Sequence, residues 1–227
     1  MDDESYAGKI KDLVTKFIDS LDTDYLGSRH IVLFCEEPEY ALSIELRFLK
    51  NSLLKGQPGI YIVNEDGLKN SSDDIDFIEN QMIDYGIDVA KFKKNNLLKI
   101  VSVPNAIDHP EGELKGAEEI CRSLFSVDNN YNNDIDIKDE KQRPIRVVGR
   151  IMRQVKTEVE IQANINIERW CASTIISANN IFLICHYPVD KIVQHLKGYW
   201  MQALLTHHHA VIYFPKLSNG IAMNLVS

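Results

Sequence analysis

The sequence predicts an α/β protein: a mostly parallel sheet with helices on both faces, a three-layer sandwich, closed by an antiparallel hairpin at its C-terminal end. Three observations lead there. Short, continuous apolar runs recur along the 227 residues, amphipathic helical stretches alternate with them, and a Ser218-Asn219-Gly220 turn separates the last two runs.

The elements follow in order. Ile10, Leu13, Val14, Phe17, Ile18 and Leu21 recur at three- and four-residue spacing, so Tyr6 to Leu21 forms the apolar stripe of a leading helix. The spacing divides the chain into a helical extension, residues 1–27, and one domain, residues 28–227. His30 to Cys35 is a short unbroken apolar run, as expected of a strand buried on both faces of a parallel sheet. A helix from about Glu39 to Leu54 follows, then a strand at Gly59 to Val63, a helix at Ile75 to Tyr85 and a strand at Leu97 to Val103. Leu114 to Phe125 is expected to be helical, and the Asn-, Asp- and Lys-rich stretch Val127 to Arg143 to be a surface loop. Pro144 to Val148 is a fourth strand, Arg150 to Ala178 a long helix, Ile181 to Cys185 a fifth strand and Val189 to Leu205 another helix. His209 to Phe214 and Ile221 to Val226 then pair as the hairpin.

Composition narrows the function classes. With 44% hydrophobic and 26% charged residues, the chain can bury one sizeable core and needs no disulfide or metal to fold. A net charge of -8 argues against direct nucleic-acid binding, which requires clustered Lys and Arg. The N-terminus is acidic where a signal peptide is basic, and no apolar run is long enough for a bilayer, so a cytoplasmic protein without membrane contact is expected. Cys35, Cys121, Cys171 and Cys185 form no CxxC pair and are expected to be reduced core thiols.

The segment His30 to Asp66, HIVLFCEEPEYALSIELRFLKNSLLKGQPGIYIVNED, resembles the first strand, helix and second strand of KaiC-like ATPases of the RecA superfamily. Residues 73–103, with their Tyr-Gly-Ile-Asp turn, resemble the next helix and strand of the same proteins. A RecA-like, P-loop NTPase-like sandwich is what this implies. A Walker A loop, G-x-x-x-x-G-K-[ST], cradles phosphates on glycine amides and neutralises them with Lys. In the corresponding place Cys35 and Tyr40 stand at the glycine positions, Ala41 at the lysine and Leu42 at the hydroxyl, while Glu36, Glu37 and Glu39 add negative charge. The candidate Walker B strand is followed by Gly149 and Arg150 rather than ending in Asp.

A smaller family accounts for these departures. His30, the NSLLKGQPGIYIV block, IRVVGRIM at Ile145 to Met152, Glu168, and LICHYPVDKI at Leu183 to Ile192 resemble the MEDS domain, a KaiC-like sensory domain named for methanogens, methylotrophs and the regulator DcmR. The chain departs from the family's usual pattern at Cys185-His186-Tyr187, where Cys-Gln-Tyr is common, and at Gly149-Arg150-Ile151, where Gly-Glu-Met is often found. The resemblance implies a non-catalytic sensory role, proposed for hydrocarbon derivatives, with output through a separate signalling or transcription partner or a second copy of the chain.

Ligands of open α/β sheets lie beyond the C-terminal ends of the strands. That rule selects Cys35, Glu36, Glu37 and Tyr40 after the first strand, and Asn64, Glu65 and Asp66 after the second. It adds Asn105 after the third, and Cys185, His186 and Tyr187 after a later one. The resemblance implies that Glu65 and Asp66 would orient attacking water in an active relative, which leaves an atypical ATPase as the alternative; a structural, oligomer-forming subunit is the third reading. Cys185 and His186 are neighbours on one strand and point to opposite faces, so they cannot act together as nucleophile and base. His207, His208 and His209 cannot all face one ion without a sharp bend, and imply incidental affinity rather than a built centre. No metal and no cofactor is expected. Trp170, Tyr199 and Trp200 are expected in the core.

Overall fold

The computed structural model describes residues 14–21, 29–64, 71–103, 144–150, 158–176, 181–189, 197–214 and 221–225. Among the described residues, seven strands form one sheet: β1 (Arg29–Cys35), β2 (Gly59–Asn64), β3 (Leu98–Val103), β4 (Ile145–Arg150), β5 (Ile181–Pro188), β6 (Ala210–Phe214) and β7 (Ile221–Asn224), in the order β3-β2-β4-β5-β1-β6-β7. Every neighbouring pair is parallel except β6 and β7, the expected C-terminal antiparallel pair.

Side chains alternate across β1. Ile31, Leu33 and Cys35 enter one core, while Val32 and Phe34 enter the other. Each such burial is worth about 1.5–3 kcal/mol. Strand propensity spans only about 1 kcal/mol in all. Burial on two faces, rather than propensity, is therefore what makes these runs interior strands.

The first face is covered by α1 (Pro38–Leu54), α2 (Ser71–Asp84) and α3 (Val89–Lys94), joined by Val14, Ile18 and Leu21 from the helical segment at residues 14–20 and the turn that ends it. The second carries α4 (Glu158–Trp170), a π-helical turn at Cys171–Ile176 that continues it, and α5 (Gly198–His207). Three connections close in the same way. Gly56, Gly86 and Asn96 have positive φ, and each is followed by an amide that reaches back five residues, as Ile87 N–H does to the Met82 carbonyl at 2.9 Å. This is the Schellman closure, which satisfies carbonyls left over at a helix end.

The structure corrects several boundaries. Arg150 does not begin a helix: it ends β4 opposite Val63, because its side chain is tied to the buried Glu45 of α1. β5 runs to Pro188 rather than Cys185, and the described helix after it is α5. The short helix α3 was not expected; Asp88 caps it by accepting the Lys91 amide at 3.0 Å. Among the three expected core aromatics only Trp200 is fully buried, whereas Tyr199 is 43% exposed and donates to Glu158 at the surface. The expected helix at Leu114 to Phe125 and the loop at Val127 to Arg143 lie outside the described residues, as does Cys121. Cys35, Cys171 and Cys185 are buried thiols, as expected. Among the described residues, no helix is long and apolar enough to cross a membrane.

Candidate functional site

Two buried polar clusters lie back to back on opposite faces of the sheet. The alternation of β5 creates them: Cys185 and Tyr187 join the second core, and His186 between them turns to the first face.

On the first face the centre is Glu45, from the middle of α1 and fully buried. Its carboxylate accepts from Tyr61 OH at 2.5 Å and from Arg150 Nε at 2.8 and 3.0 Å, and it lies 2.9 Å from His186 Nδ1. Burial alone would raise the Glu45 pKa; the Arg150 guanidinium and the His186 contact outweigh it and hold the carboxyl at about 2. Glu45 is therefore an anion that fixes Arg150 and His186 at the C-terminal ends of β4 and β5. Arg150 Nη2 and His186 Nε2 are buried and find no hydrogen-bond partner among the described residues. A guanidinium N–H is always a donor, so Arg150 presents an unmet call for an acceptor oxygen.

The adjoining turn from β1 to α1 is short. Only Glu36 and Glu37 separate Cys35 from Pro38, and Pro38 brings no amide hydrogen. Glu36 N–H is spent on the Phe214 carbonyl at 3.0 Å, Cys35 Sγ donates to the Glu37 carbonyl at 3.3 Å, and Tyr40 packs its ring against Phe214 at 4.5 Å. Burial pushes the Cys35 thiol and the Tyr40 phenol up, the latter to about 12, so both stay neutral near pH 7.

On the second face four donors of three kinds converge: His30 from the start of β1, Cys185 from β5, Glu168 from α4 and His208 just after α5. Their ligand atoms lie within 4.8 Å of one another, and all four residues are buried. His30 Nε2 is 3.2 Å from Cys185 Sγ and 3.2 Å from Glu168 Oε2, and His208 Nε2 is 3.5 Å from the same oxygen. The far nitrogens are committed elsewhere: His30 Nδ1 faces the His207 carbonyl at 2.8 Å and His208 Nδ1 the Leu204 carbonyl at 2.6 Å. Carbonyls only accept, so both Nδ1 atoms carry the hydrogen. Burial, reinforced by the neighbouring His30, drives His208 down to about 3. It is neutral near pH 7, with a lone pair on Nε2.

Glu168 is supported from behind. Its Oε1 accepts from Tyr187 OH, which accepts from Asn164 Nδ2 at 2.9 Å, while Trp200 Nε1 donates to Asn164 Oδ1 at 2.8 Å. Burial raises the Glu168 pKa, but the histidines and the Tyr187 hydroxyl outweigh it and hold it at about 2, so it is ionised.

Of the residues selected from sequence, the structure gathers Cys35, Glu37, Tyr40 and His186 near the first-face end of β1 and β5, with Glu36 exposed in the same turn. Asn64 ends β2, which β4 separates from β5 in the sheet. Cys185 and Tyr187 go to the other face, and Glu65, Asp66 and Asn105 lie outside the described residues. Sequence reasoning missed Glu45 and Arg150 as site residues. A charged residue such as Glu45 in the middle of an apolar helix face was the available signal. It also took His207–His209 as one run, whereas His208 alone turns inward to the cluster; His209 Nδ1 instead accepts the His30 amide at 3.0 Å.

A family model described as "MEDS: MEthanogen/methylotroph, DcmR Sensory domain" matches residues 29–208. Among solved structures, a KaiC-like protein from the hyperthermophilic archaeon Pyrococcus horikoshii OT3 is similar in fold, with a TM-score of 0.52 and 11% identity over 87% of this chain and 80% of that one. No curated protein matches the sequence.

Proposed function

Because the chain belongs to the MEDS family, the methanogen/methylotroph, DcmR sensory domain, we propose that it is a non-catalytic sensory and signal-transduction domain. It takes up a small molecule or a protein partner at the crevice beyond β1, β4 and β5, where a KaiC-like ATPase would hold nucleotide. The β1–α1 turn carries this reading. Two glutamates and a proline occupy it, and the Glu36 amide is already bonded to Phe214. A triphosphate there would meet carboxylates in place of amide donors and a lysine.

The chemistry of the preferred ligand follows from Arg150. Its unmet Nη2 favours a molecule with a carboxylate or carbonyl oxygen, and Cys35 and Tyr40 supply neutral, largely apolar surface nearby. Signal leaves through a separate cytoplasmic partner or a second copy of the chain. The same reading treats residues 1–27, which include the helical segment at 14–20, as an extension to a domain of residues 28–227.

Calorimetric titration with Mg-ATP and Mg-ADP tests the reading. The expected result is no binding below the millimolar range and no phosphate release. Micromolar affinity would replace the sensory reading with an atypical ATPase that uses Glu65 and Asp66 to orient water.

A further inference from the structure

We propose that His30, Glu168, Cys185 and His208 bind one divalent transition ion of the zinc class, held between the start of β1, the middle of β5, α4 and the segment that joins α5 to β6. The site lies on the opposite face of the sheet from the crevice and does not depend on what binds there.

Geometry is the first support. Four ligands placed tetrahedrally at about 2.0–2.3 Å from an ion stand roughly 3.3–3.8 Å from one another. Three of the contacts, at 3.2, 3.2 and 3.5 Å, lie within or just below that spacing, and all four ligand atoms lie within 4.8 Å of one another, so a small contraction would close them on one ion. Hydrogen-bond direction is the second. Metal-binding imidazoles usually donate their other N–H to a carbonyl or carboxylate, which fixes the tautomer and aims the lone pair. The His207 and Leu204 carbonyls do this for His30 and His208, and the Tyr187, Asn164 and Trp200 chain does the equivalent for the carboxylate of Glu168.

Charge balance is the third. The Glu168 carboxyl is buried with its Oε2 facing His30 and His208 at 3.2 and 3.5 Å, yet neither that oxygen nor His208 Nε2 finds a hydrogen-bond partner among the described residues. Buried charges are normally paired or bound to metal. Two imidazoles, one carboxylate and one thiolate suit zinc better than calcium or magnesium, which prefer oxygen alone. All four ligands are buried, so the centre is closed, as in structural zinc sites, with no position left for a catalytic water.

Binding converts the Cys185 thiol to a thiolate and releases its proton to solvent. The His30 and His208 rings, stacked at 3.8 Å with 27° between their planes, must tilt further for both Nε2 atoms to meet one ion. Because His208 links α5 to β6, that movement couples metal occupancy to the helix on the second face.

Cobalt(II) titration of the chelator-treated full chain tests the site. Expected are uptake of one equivalent, the intense visible bands of four-coordinate cobalt, a thiolate-to-cobalt charge-transfer band in the near ultraviolet, and displacement by zinc. Cys185→Ser should abolish the charge-transfer band. Tyr187→Phe, which leaves all four ligands in place and removes the hydroxyl between Glu168 and Asn164, should weaken binding about 10- to 100-fold while keeping the spectrum. His207→Ala, whose side chain lies outside the cluster, should bind as the parent does. Failure of the parent chain to take up cobalt at one equivalent would overturn the proposal, as would uptake without the charge-transfer band or uptake that His207→Ala abolishes. The parent titration decides the matter even if a cluster variant does not fold.

Discussion

Glu45 shows how a single residue ties the sheet to its helix. Its carboxylate is fully buried and ionised, with its pKa held at about 2 in the fold against an ordinary value of 4.5. A carboxyl depressed by folding stabilises fully above its unfolded pKa and loses that contribution as pH falls toward the folded value. Stability should therefore begin to fall below about pH 6.5, where the unfolded chain protonates the imidazole that the fold keeps neutral at His208, and fall further between about 4.5 and 2 as Glu45 and Glu168 lose their charge. Denaturant midpoints measured across that range check this; Glu45→Gln should start lower and decline less steeply. Removing one partner from a buried ion pair costs about 3–5 kcal/mol, because the other charge stays buried. Arg150 is partly open to solvent, so Arg150→Met should fall near the lower end. The double substitution Glu45→Met with Arg150→Met should cost less than the two single changes combined, as urea unfolding would register. By contrast, the Arg47 and Asp19 pair is more than a third exposed on both sides, and Asp19→Asn should cost under about 1 kcal/mol.

Helix ends are where local sequence and local structure meet most directly. Gly86 terminates α2 at a φ of +79°, and a Cβ placed there would stand 3.1 Å from Lys50 Nζ. A flexible lysine tip can move aside, whereas the backbone strain remains. Gly86→Ala should cost about 1–2 kcal/mol, the penalty for a side chain in the left-handed region; thermal unfolding reads it. The same scale explains which elements were legible. Unbroken apolar runs such as Ile31 to Phe34 and Ile181 to Ile184 announced interior strands, since only a strand covered on both faces tolerates them. The short α3 escaped because six residues are too few to display a helical period, and its Asp88 cap resembles any turn aspartate. Arg150 was assigned to a helix because a charged residue at the end of a strand carries no signal until its partner is known.

Across the whole molecule, the sheet order sets both stability and function. β1 and β5 are paired on both sides and buried on both faces, while β3 and β7 form the two edges among the described residues. Hydrogen exchange should release the amides of β7 and β3 first and those of Val32, Leu33 and Ile184 last, close to the global unfolding limit. Equal protection of edge and centre would contradict this topology. Sequence alone determined the α/β class, the succession of buried strands, the C-terminal hairpin and the family resemblance, because each rests on near neighbours or on a contiguous motif. Only tertiary structure decided which polar residues share a site. His30, Glu168, Cys185 and His208 are scattered over nearly the whole chain, and they meet because β1 pairs with β5 and carries His30 to the side where α4 and α5 pack. Likewise, the turn of His186 to one face and of Cys185 to the other follows from strand pleating, but whether each finds Glu45 or Glu168 depends on which helix covers which face. Spacing along a chain fixes direction; the partners are fixed by packing.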